Sequence, residues 1–328
     1  RDYQFMKQLL FCVCVFAMSC SAYASPRRQD PSVMKETFRN NYGIIVSGQE
    51  WVKRGSDGTI TKVLKNGATL HEVYSGGLLH GEITLTFPHT TALDVVQIYD
   101  QGRLVSRKTF FVNGLPSQEE LFNEDGTFVL TRWPDNNDSD TITKPYFIET
   151  TYQGHVIEGS YTSFNGKYSS SIHNGEGVRS VFSSNNILLS EETFNEGVMV
   201  KYTTFYPNRD PESITHYQNG QPHGLRLTYL QGGIPNTIEE WRYGFQDGTT
   251  IVFKNGCKTS EIAYVKGVKE GLELRYNEQE IVAEEVSWRN DFLHGERKIY
   301  AGGIQKHEWY YRGRSVSKAK FERLNAAG

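Results

Sequence analysis

Cysteine, proline and an excess of charge of one sign are all scarce in this 328-residue chain. It has 4 cysteines and 10 prolines, and its 35 basic residues nearly balance 38 acidic ones. Only Cys257 lies beyond the first 20 residues, which excludes a disulfide framework in the body of the chain. The net charge of −3 gives no reason to expect a nucleic-acid partner. In contrast, 31 glycines and 13% aromatic residues indicate a β-rich, turn-rich protein.

Long apolar runs are also missing, apart from a ten-residue run at residues 9–18. Lys7 precedes it, and it is too short to span a membrane as a helix. The run is followed by Ala22 and Ala24, which are spaced as in a signal-peptide cleavage site. We therefore predict that residues 1–24 comprise a few upstream residues and a signal peptide.

Cys20 offers a second interpretation of the same segment. The four residues that end at Cys20 resemble a bacterial lipobox without its usual leucine, so lipidation of Cys20 competes with cleavage after Ala24. Either outcome predicts an exported protein of the periplasm, outer membrane or cell surface of a bacterium. A lipid anchor would be its one contact with the membrane.

An internal repeat determines the predicted fold. A typical unit has an opening aromatic residue, a turn residue three positions later, a glycine seven positions later and a closing aromatic residue twelve positions later, although the unit that closes at Tyr206 has Lys201 in the glycine position. The closing residues are separated by 23, 24, 23 and 24 positions, and they are Tyr206, Tyr229, Phe253, Tyr276 and Tyr300. The other repeat positions are Tyr74 and Gly81 upstream, then Tyr217, Gly220, His223, Gly224, Trp241, Gly248, Tyr264, Gly271, Trp288, His294 and Gly295.

Alternation within the units predicts strands with one packed face, because Leu225 and Leu227 alternate with Arg226 and Thr228. Asn-Gly dipeptides between strands are typical of type I′ hairpin turns, in which both residues have positive φ. They occur at Asn66-Gly67, Asn113-Gly114, Asn165-Gly166, Asn174-Gly175, Asn219-Gly220 and Asn255-Gly256.

We therefore predict an all-β fold in which tandem β-hairpin repeats form an elongated, curved antiparallel meander sheet. The array should cover residues 43–325, after a linker at residues 25–42. A degenerate repeat with a polar loop is expected at about 115–146, where proline, aspartate and asparagine interrupt the spacing. Short helices are expected at residues 32–39 and 317–324.

The unit at residues 217–229 resembles the MORN repeat, and it is closest to the bacterial variant found in YwqK-like antitoxin proteins. The resemblance extends over about residues 60–321 and rests on the recurrence of the spacing. It implies an elongated β meander that acts as a scaffold or binding surface, without chemistry of its own. It also implies an antitoxin-like role as an alternative, and the eukaryotic members imply a surface for membrane lipids.

Three histidines precede repeat glycines, and we expect them to have structural roles in turns. Equivalent turns separate His80, His223 and His294 by many strands, whereas a zinc site needs three or four converging ligands. The acidic stretch at residues 135–140 lacks the central glycine and distal glutamate of a calcium loop, so a solvated loop is the better interpretation.

Adjacent glutamates such as Glu239 and Glu240 could suggest a glycosidase, but neighbours on a strand point to opposite faces. We expect them to be solvated strand residues. No nucleophile motif or cofactor motif is present. The expected function is that of a non-enzymatic, exported, protein-binding scaffold without cofactors. An antitoxin or immunity protein, and a lipid-binding or carbohydrate-binding surface module, are the alternatives.

Overall fold

A computed structural model describes residues 32–135 and 144–327 of the chain. They form 26 strands of one antiparallel sheet that runs as a meander and does not close on itself. These residues also contain the helices α1, Gly48–Lys53, and α2, Lys318–Ala326. The predicted all-β antiparallel meander is confirmed.

The strands of the first half are β1 Val33–Asn40, β2 Ile45–Val46, β3 Gly58–Leu64, β4 Thr69–Ser75, β5 Leu78–Leu79, β6 Gly81–Thr86, β7 Leu93–Asp100, β8 Arg103–Phe110, β9 Pro116–Phe122, β10 Thr127–Arg132, β11 Phe147–Tyr152, β12 His155–Thr162 and β13 Ser169–His173. The strands of the second half are β14 Glu176–Phe182, β15 Leu188–Asn195, β16 Val198–Phe205, β17 Pro211–Gln218, β18 Gln221–Leu230, β19 Ile234–Arg242, β20 Phe245–Lys254, β21 Cys257–Val265, β22 Val268–Tyr276, β23 Val282–Arg289, β24 Phe292–Ala301, β25 Ile304–Tyr311 and β26 Arg314–Val316.

The N-terminal end of the sheet departs from the prediction. Residues 25–42 were expected to be a linker, and residues 32–39 a short helix, but β1 pairs with β3 along its length and with β2 at Phe38. The helix prediction is wrong, and so is the linker prediction for residues 33–40. Local sequence spacing favours a helix there, but β3 offers an unpaired edge whose hydrogen bonds outweigh that local preference.

The expected degenerate repeat at 115–146 retains its hairpin. β9 and β10 pair with each other, and β10 pairs with β11 across the polar interval. Residues 136–143, most of the expected polar loop, lie outside the described part of the chain. The irregular spacing therefore reflects a long connection between two regular strands.

Both ends of the sheet are covered by a helix. Trp51 of α1 is buried against the rings of Phe38 and Tyr74, with centroid distances of 5.7 and 5.3 Å. Phe321 of α2 packs 5.1 Å from the ring of Trp309. The helix expected at residues 317–324 is confirmed. Such covers protect edge strands from pairing with other chains.

The Asn-Gly turns fall into two geometries. Asn174, Asn219 and Asn255 have positive φ, as do the glycines that follow them, which matches the expected type I′ turn. At Asn66 and Asn113 only the glycine has positive φ, and the asparagine Oδ1 accepts the N–H two residues later. Asn165 behaves like this second pair. The type I′ prediction is therefore right for three of the six dipeptides.

The more buried face of the C-terminal half is the polar one. Cross-strand partners on successive strands from β16 to β25 form a polar row: Tyr202, Thr215, Arg226, Glu239, Thr250, Ile262, Glu273, Val286, Arg297 and Glu308. Six of these ten residues are buried. On the opposite face, Leu225 and Leu272 are 45% and 46% exposed. The expectation that the leucine face is packed is therefore wrong at these two residues.

Candidate functional site

Consecutive repeats are joined by hydrogen bonds between their turns. In four successive repeats a turn N–H donates to the carbonyl two residues before the repeat glycine of the preceding unit. Gly244 donates to Pro222 at 2.9 Å, Gly267 to Gln246 at 2.8 Å, Asp291 to Lys269 at 3.1 Å and Gly313 to Leu293 at 2.8 Å. The tight turns along this edge of the sheet therefore form one continuous stack.

Before four of the five repeat glycines, the preceding residue adds a side-chain bond to this stack. The Nδ1 of His80 accepts the N–H of Gln101 at 3.3 Å, and the Nδ1 of His294 accepts that of Arg312 at 3.4 Å. Carboxylates occupy the equivalent position elsewhere: Asp247 accepts the N–H of Lys266 at 3.3 Å, and Glu270 that of Asn290 at 2.8 Å. A histidine or an acid at this position is thus a turn acceptor.

His223 occupies the same position without such a bond. Its ring lies 5.0 Å from that of Tyr243, and its Nδ1 is buried with no hydrogen-bond partner among the described residues. The three histidines lie on different hairpins. In the described ranges no group of three or more His, Cys, Asp or Glu side chains is placed to hold a metal ion.

The repeat glycines lie in the left-handed region. Gly81, Gly224, Gly248, Gly271 and Gly295 have φ between +90° and +123°. Four of them lie in a bulge of their own strand, where three residues stand opposite a single residue of the preceding strand, which is His216, Glu240, Ala263 or Ser287. A side chain at these positions would be strained, which explains why glycine recurs there.

Two of the opening aromatic residues bond to buried carboxylates of the polar row. The Nε1 of Trp241 donates to Glu239 at 2.9 Å, and that of Trp288 donates to Glu273 at 2.6 Å. These glutamates are only 9% and 4% exposed, so the expectation of a solvated residue is wrong for Glu239. Burial raises the pKa of the opening residues Tyr217 and Tyr264.

Ion pairs continue along the same face. Arg297 lies between Glu284 and Glu308, at 3.0 and 3.2 Å, and Arg275 lies 3.2 Å from Glu284. In the middle of the array, Arg179 bridges Glu149 and Glu192, and its guanidinium lies 5.0 Å from the ring centroid of Phe194. Each of these three guanidinium groups is therefore neutralised by carboxylates of the same sheet.

The closing aromatic residues have varied contacts. The hydroxyl of Tyr206 donates to the carbonyl of Tyr229, the ammonium of Lys258 lies over the ring of Tyr276, and the hydroxyl of Tyr300 donates to Glu285. Phe253 pairs with Lys258 across the strands. The upstream residue Tyr74 packs on Trp51, as described above, and Gly220 forms a tight turn with Asn219.

A trough of about 850 Å³ lies on the polar face over β16 to β19. We call this surface the aromatic trough. Its aromatic lining consists of Tyr202, Tyr206, Tyr217, Tyr229 and Trp241. Its polar lining includes Thr204, Glu212, Ser213, Arg226, Thr228, Asn236, Thr237 and Glu239. This mixture of ring surfaces and hydrogen-bonding groups is suited to binding a ligand.

A second candidate surface lies on the edge formed by the stacked turns. Tyr243, Phe245, Val265 and Phe292 are 64%, 55%, 45% and 56% exposed, and they stand at three successive turns. We call these four residues the turn ridge. The ring of Phe245 lies beside Gly267 of the next turn, so the ridge is continuous from one hairpin to the next.

Several expected sites fall outside these surfaces. Cys20, Ala22 and Ala24 lie outside the described residues. Cys257 is an exposed free thiol at the first residue of β21, as expected of a strand-start residue. No helix among the described residues is long and apolar enough to cross a membrane.

The sequence did not identify the residues that make up the two surfaces. The ridge residues lie in or beside turns. The aromatic residues Tyr243 and Phe245 on either side of Gly244 were the sequence signal for this surface. The trough residues cannot be recognised in this way. Glu212 and Asn236 line the trough only because each lies in a bulge, opposite Phe205 and Tyr229 respectively. Bulge positions depend on pairing, which the repeat spacing does not specify.

No family model matches the chain, and no curated protein matches it significantly. Among solved structures, a porin-like protein from Bacteroides uniformis ATCC 8492 is similar over 77% of this chain and 89% of that chain, at 10% sequence identity. Its TM-score is 0.11, which supports no conclusion about fold or function.

Proposed function

We propose that this chain is a non-enzymatic binding protein of the bacterial envelope that presents its stacked turns to a protein partner. The observation that carries the proposal is the turn ridge, where four large apolar side chains are exposed at adjacent turns. Exposed apolar surface of this kind is typical of interaction sites. The repeat spacing and its resemblance to MORN repeats support a scaffold role.

Charge around the ridge indicates the kind of partner. The basic residues Arg242, Lys266 and Arg289 are exposed near the ridge. Arg242 lies 3.8 Å from Asp247, whereas Lys266 and Arg289 make no ion pair among the described residues. The ridge therefore presents apolar groups beside these two cations, and it complements a partner surface that is apolar and carries acidic groups opposite them.

The envelope location follows from the proposal that the chain is exported. The apolar run and the small residues of the N-terminal segment support that proposal. An intact mass of the chain purified from its native membrane fraction would distinguish cleavage after Ala24 from lipidation of Cys20. A mass that retains the whole N-terminal segment would contradict both.

Affinity capture from envelope extracts tests the proposal when a ridge variant is compared with a matched control. The double variant Phe245→Ser with Phe292→Ser should capture at least tenfold less of the partner than the wild type does. The control is Ile281→Ser with Ile304→Ser, because these residues are also exposed and apolar but follow turns on the opposite edge. Equal capture by the wild type and the ridge variant would contradict the proposal.

A further inference from the structure

The aromatic trough carries polar groups that no other described residue engages. The hydroxyls of Tyr202 and Tyr217 make no hydrogen bond within the described ranges, and neither does the carboxylate of Glu212. Tyr202 and Tyr217 line the same trough, and burial together with the neighbouring Tyr202 raises the pKa of Tyr217. Half-buried polar groups without partners lose free energy unless a ligand or water bonds to them.

The other two charged groups of the trough, Arg226 and Glu239, are paired with each other, and this limits the charge that a ligand can have. Arg226 lies 3.1 Å from Glu239, which also accepts hydrogen bonds from Thr237 and Trp241. The unpaired charge in the trough is therefore the negative one of Glu212. An anionic ligand would be repelled, so the trough favours a ligand without negative charge that can donate hydrogen bonds.

The ring surfaces indicate a ligand with both apolar and polar faces. Tyr217 and Trp241 are equivalent positions of successive repeats, with Trp241 held by its bond to Glu239. A ligand that stacks on both must extend over two strands, about 9.5 Å, which is the length of two pyranose rings in an extended chain. Sugar rings combine C–H faces that stack on aromatic rings with hydroxyls that donate and accept hydrogen bonds.

From these features we infer that the aromatic trough binds a neutral, linear oligosaccharide of β-linked pyranose units. Alternate sugar rings stack on Tyr217 and Trp241, and the sugar hydroxyls bond to Glu212, Tyr202 and the free amide oxygen of Asn236. An apolar peptide fits less well, because it would leave Glu212 and the two phenols without partners. No bond is made or broken in this binding.

This site is separate from the turn ridge, so it goes beyond the proposed function. Tyr217 and Trp241 lie on the polar face of the sheet, whereas Phe245 and Phe292 follow turns at its edge. If one surface does not bind its ligand, the proposal for the other surface still stands. Variants of each surface therefore serve as controls for the other.

Titration calorimetry of the full chain with neutral hexasaccharides tests the inference. The probes are the β-1,4-linked hexamers of glucose, xylose and N-acetylglucosamine, with an oligogalacturonate as the anionic comparison. We expect at least one neutral hexamer to bind and the anionic one to bind at least tenfold more weakly. Trp241→Ala and Tyr217→Ala should each weaken binding at least tenfold, and Trp241→Phe should weaken it less.

The matched control is Trp288→Ala, because Trp288 has the same repeat position and also donates its Nε1–H to a buried glutamate, here one of the preceding strand, but does not line the trough. Its affinity should equal that of the wild type. Each variant is first checked for its wild-type circular dichroism and for its capture of the ridge partner. Three results would overturn the inference: no neutral hexamer binds, Trp288→Ala weakens binding as much as Trp241→Ala, or Trp241→Ala binds like the wild type.

Discussion

The carboxylate of Glu270 accepts a hydrogen bond from the backbone N–H of Asn290, with an N···Oε2 distance of 2.8 Å. The bond joins two hairpins that are one repeat apart. It is matched by His80 with Gln101 and by His294 with Arg312. Side chains before the repeat glycines thus hold the stack of turns together.

Loss of this bond should loosen one turn. In the variant Glu270→Ala, the amide of Asn290 should exchange with solvent about five-fold faster, because a hydrogen bond contributes on the order of 1 kcal/mol. In repeat proteins such effects remain local, so exchange at the turn of Asn174 serves as the internal reference. Glu270→Gln keeps an acceptor and should exchange like the wild type. Unchanged exchange at Asn290 in Glu270→Ala would show that the bond does not form.

Replacing a repeat glycine with alanine should lower the free energy of unfolding by an amount that depends on the space around that glycine. Gly271 has φ +101° and a Cβ there would lie 3.5 Å from that of Ala263, so Gly271→Ala should cost about 1–3 kcal/mol through backbone strain alone. A Cβ on Gly248 would lie 2.7 Å from that of Glu240, so Gly248→Ala should cost more.

Gly220 provides the control for this series. It has φ +75°, and no atom lies within 4 Å of the position that a Cβ would occupy. Because asparagine tolerates this backbone region, Gly220→Asn should change stability by less than about 1 kcal/mol. Denaturant unfolding of the three variants gives the order. Equal losses at Gly220 and Gly248 would contradict the explanation.

The packing of α1 predicts a large loss of stability for one substitution of Trp51 and a small effect for another. This residue is 2% exposed, and its Nε1 is buried without a hydrogen-bond partner among the described residues. Trp51→Ala should cost about 3–5 kcal/mol through the cavity that it leaves. Trp51→Phe removes a buried, unpaired donor that itself costs about 1–3 kcal/mol, so its net effect should be small.

Hydrogen exchange in β1 and β3 measures the local stability of both variants, because α1 packs on this end of the sheet. If Trp51→Phe destabilises these strands as strongly as Trp51→Ala, the unpaired donor has no energetic importance.

Acid should weaken the C-terminal end of the array. Hydrogen bonds from Lys306 and Tyr310 lower the pKa of Glu308 from its ordinary value of 4.5. A carboxylate whose pKa is lower in the folded state contributes stability above pH 4.5, and that contribution disappears as the pH falls through the folded-state pKa. The unfolding free energy should therefore decrease from pH 5 towards pH 3, and Glu308→Gln should lessen the decrease.

Glu278→Gln is the control for the acid experiment, because Glu278 makes no hydrogen bond or ion pair within the described ranges. It should leave the pH dependence of the wild type unchanged. A Glu308→Gln variant with the same decrease as the wild type would show that the contacts of Glu308 do not contribute.

Repeat spacing predicted most of the fold, because turns and aromatic residues that recur every 23 or 24 positions specify hairpins of nearly equal length. It failed at residues 33–40, where pairing with β3 outweighs the local preference. It also failed to identify the buried face. Glu239 and Glu273 look solvated in the sequence, but Arg226, Trp241 and Trp288 pair with them in the fold.

The candidate surfaces were less predictable than the fold. The structural role of His294 followed from its recurrence before a glycine, but its acceptor bond to the N–H of Arg312 depends on two hairpins coming together. The trough depends on bulges at Glu212 and Asn236, whose positions are set by the register of four strands, β16 with β17 and β18 with β19. Residue types alone do not indicate such long-range register.

The turn ridge and the aromatic trough both require that the chain be an open row of hairpins, and small-angle X-ray scattering tests this requirement most directly. Strands spaced about 4.8 Å apart in one sheet predict an extended particle with a radius of gyration of about 25–35 Å. A compact domain of the same length would have a radius of gyration of about 19 Å. A monomer near that lower value would contradict the open array, and one in the higher range would support it.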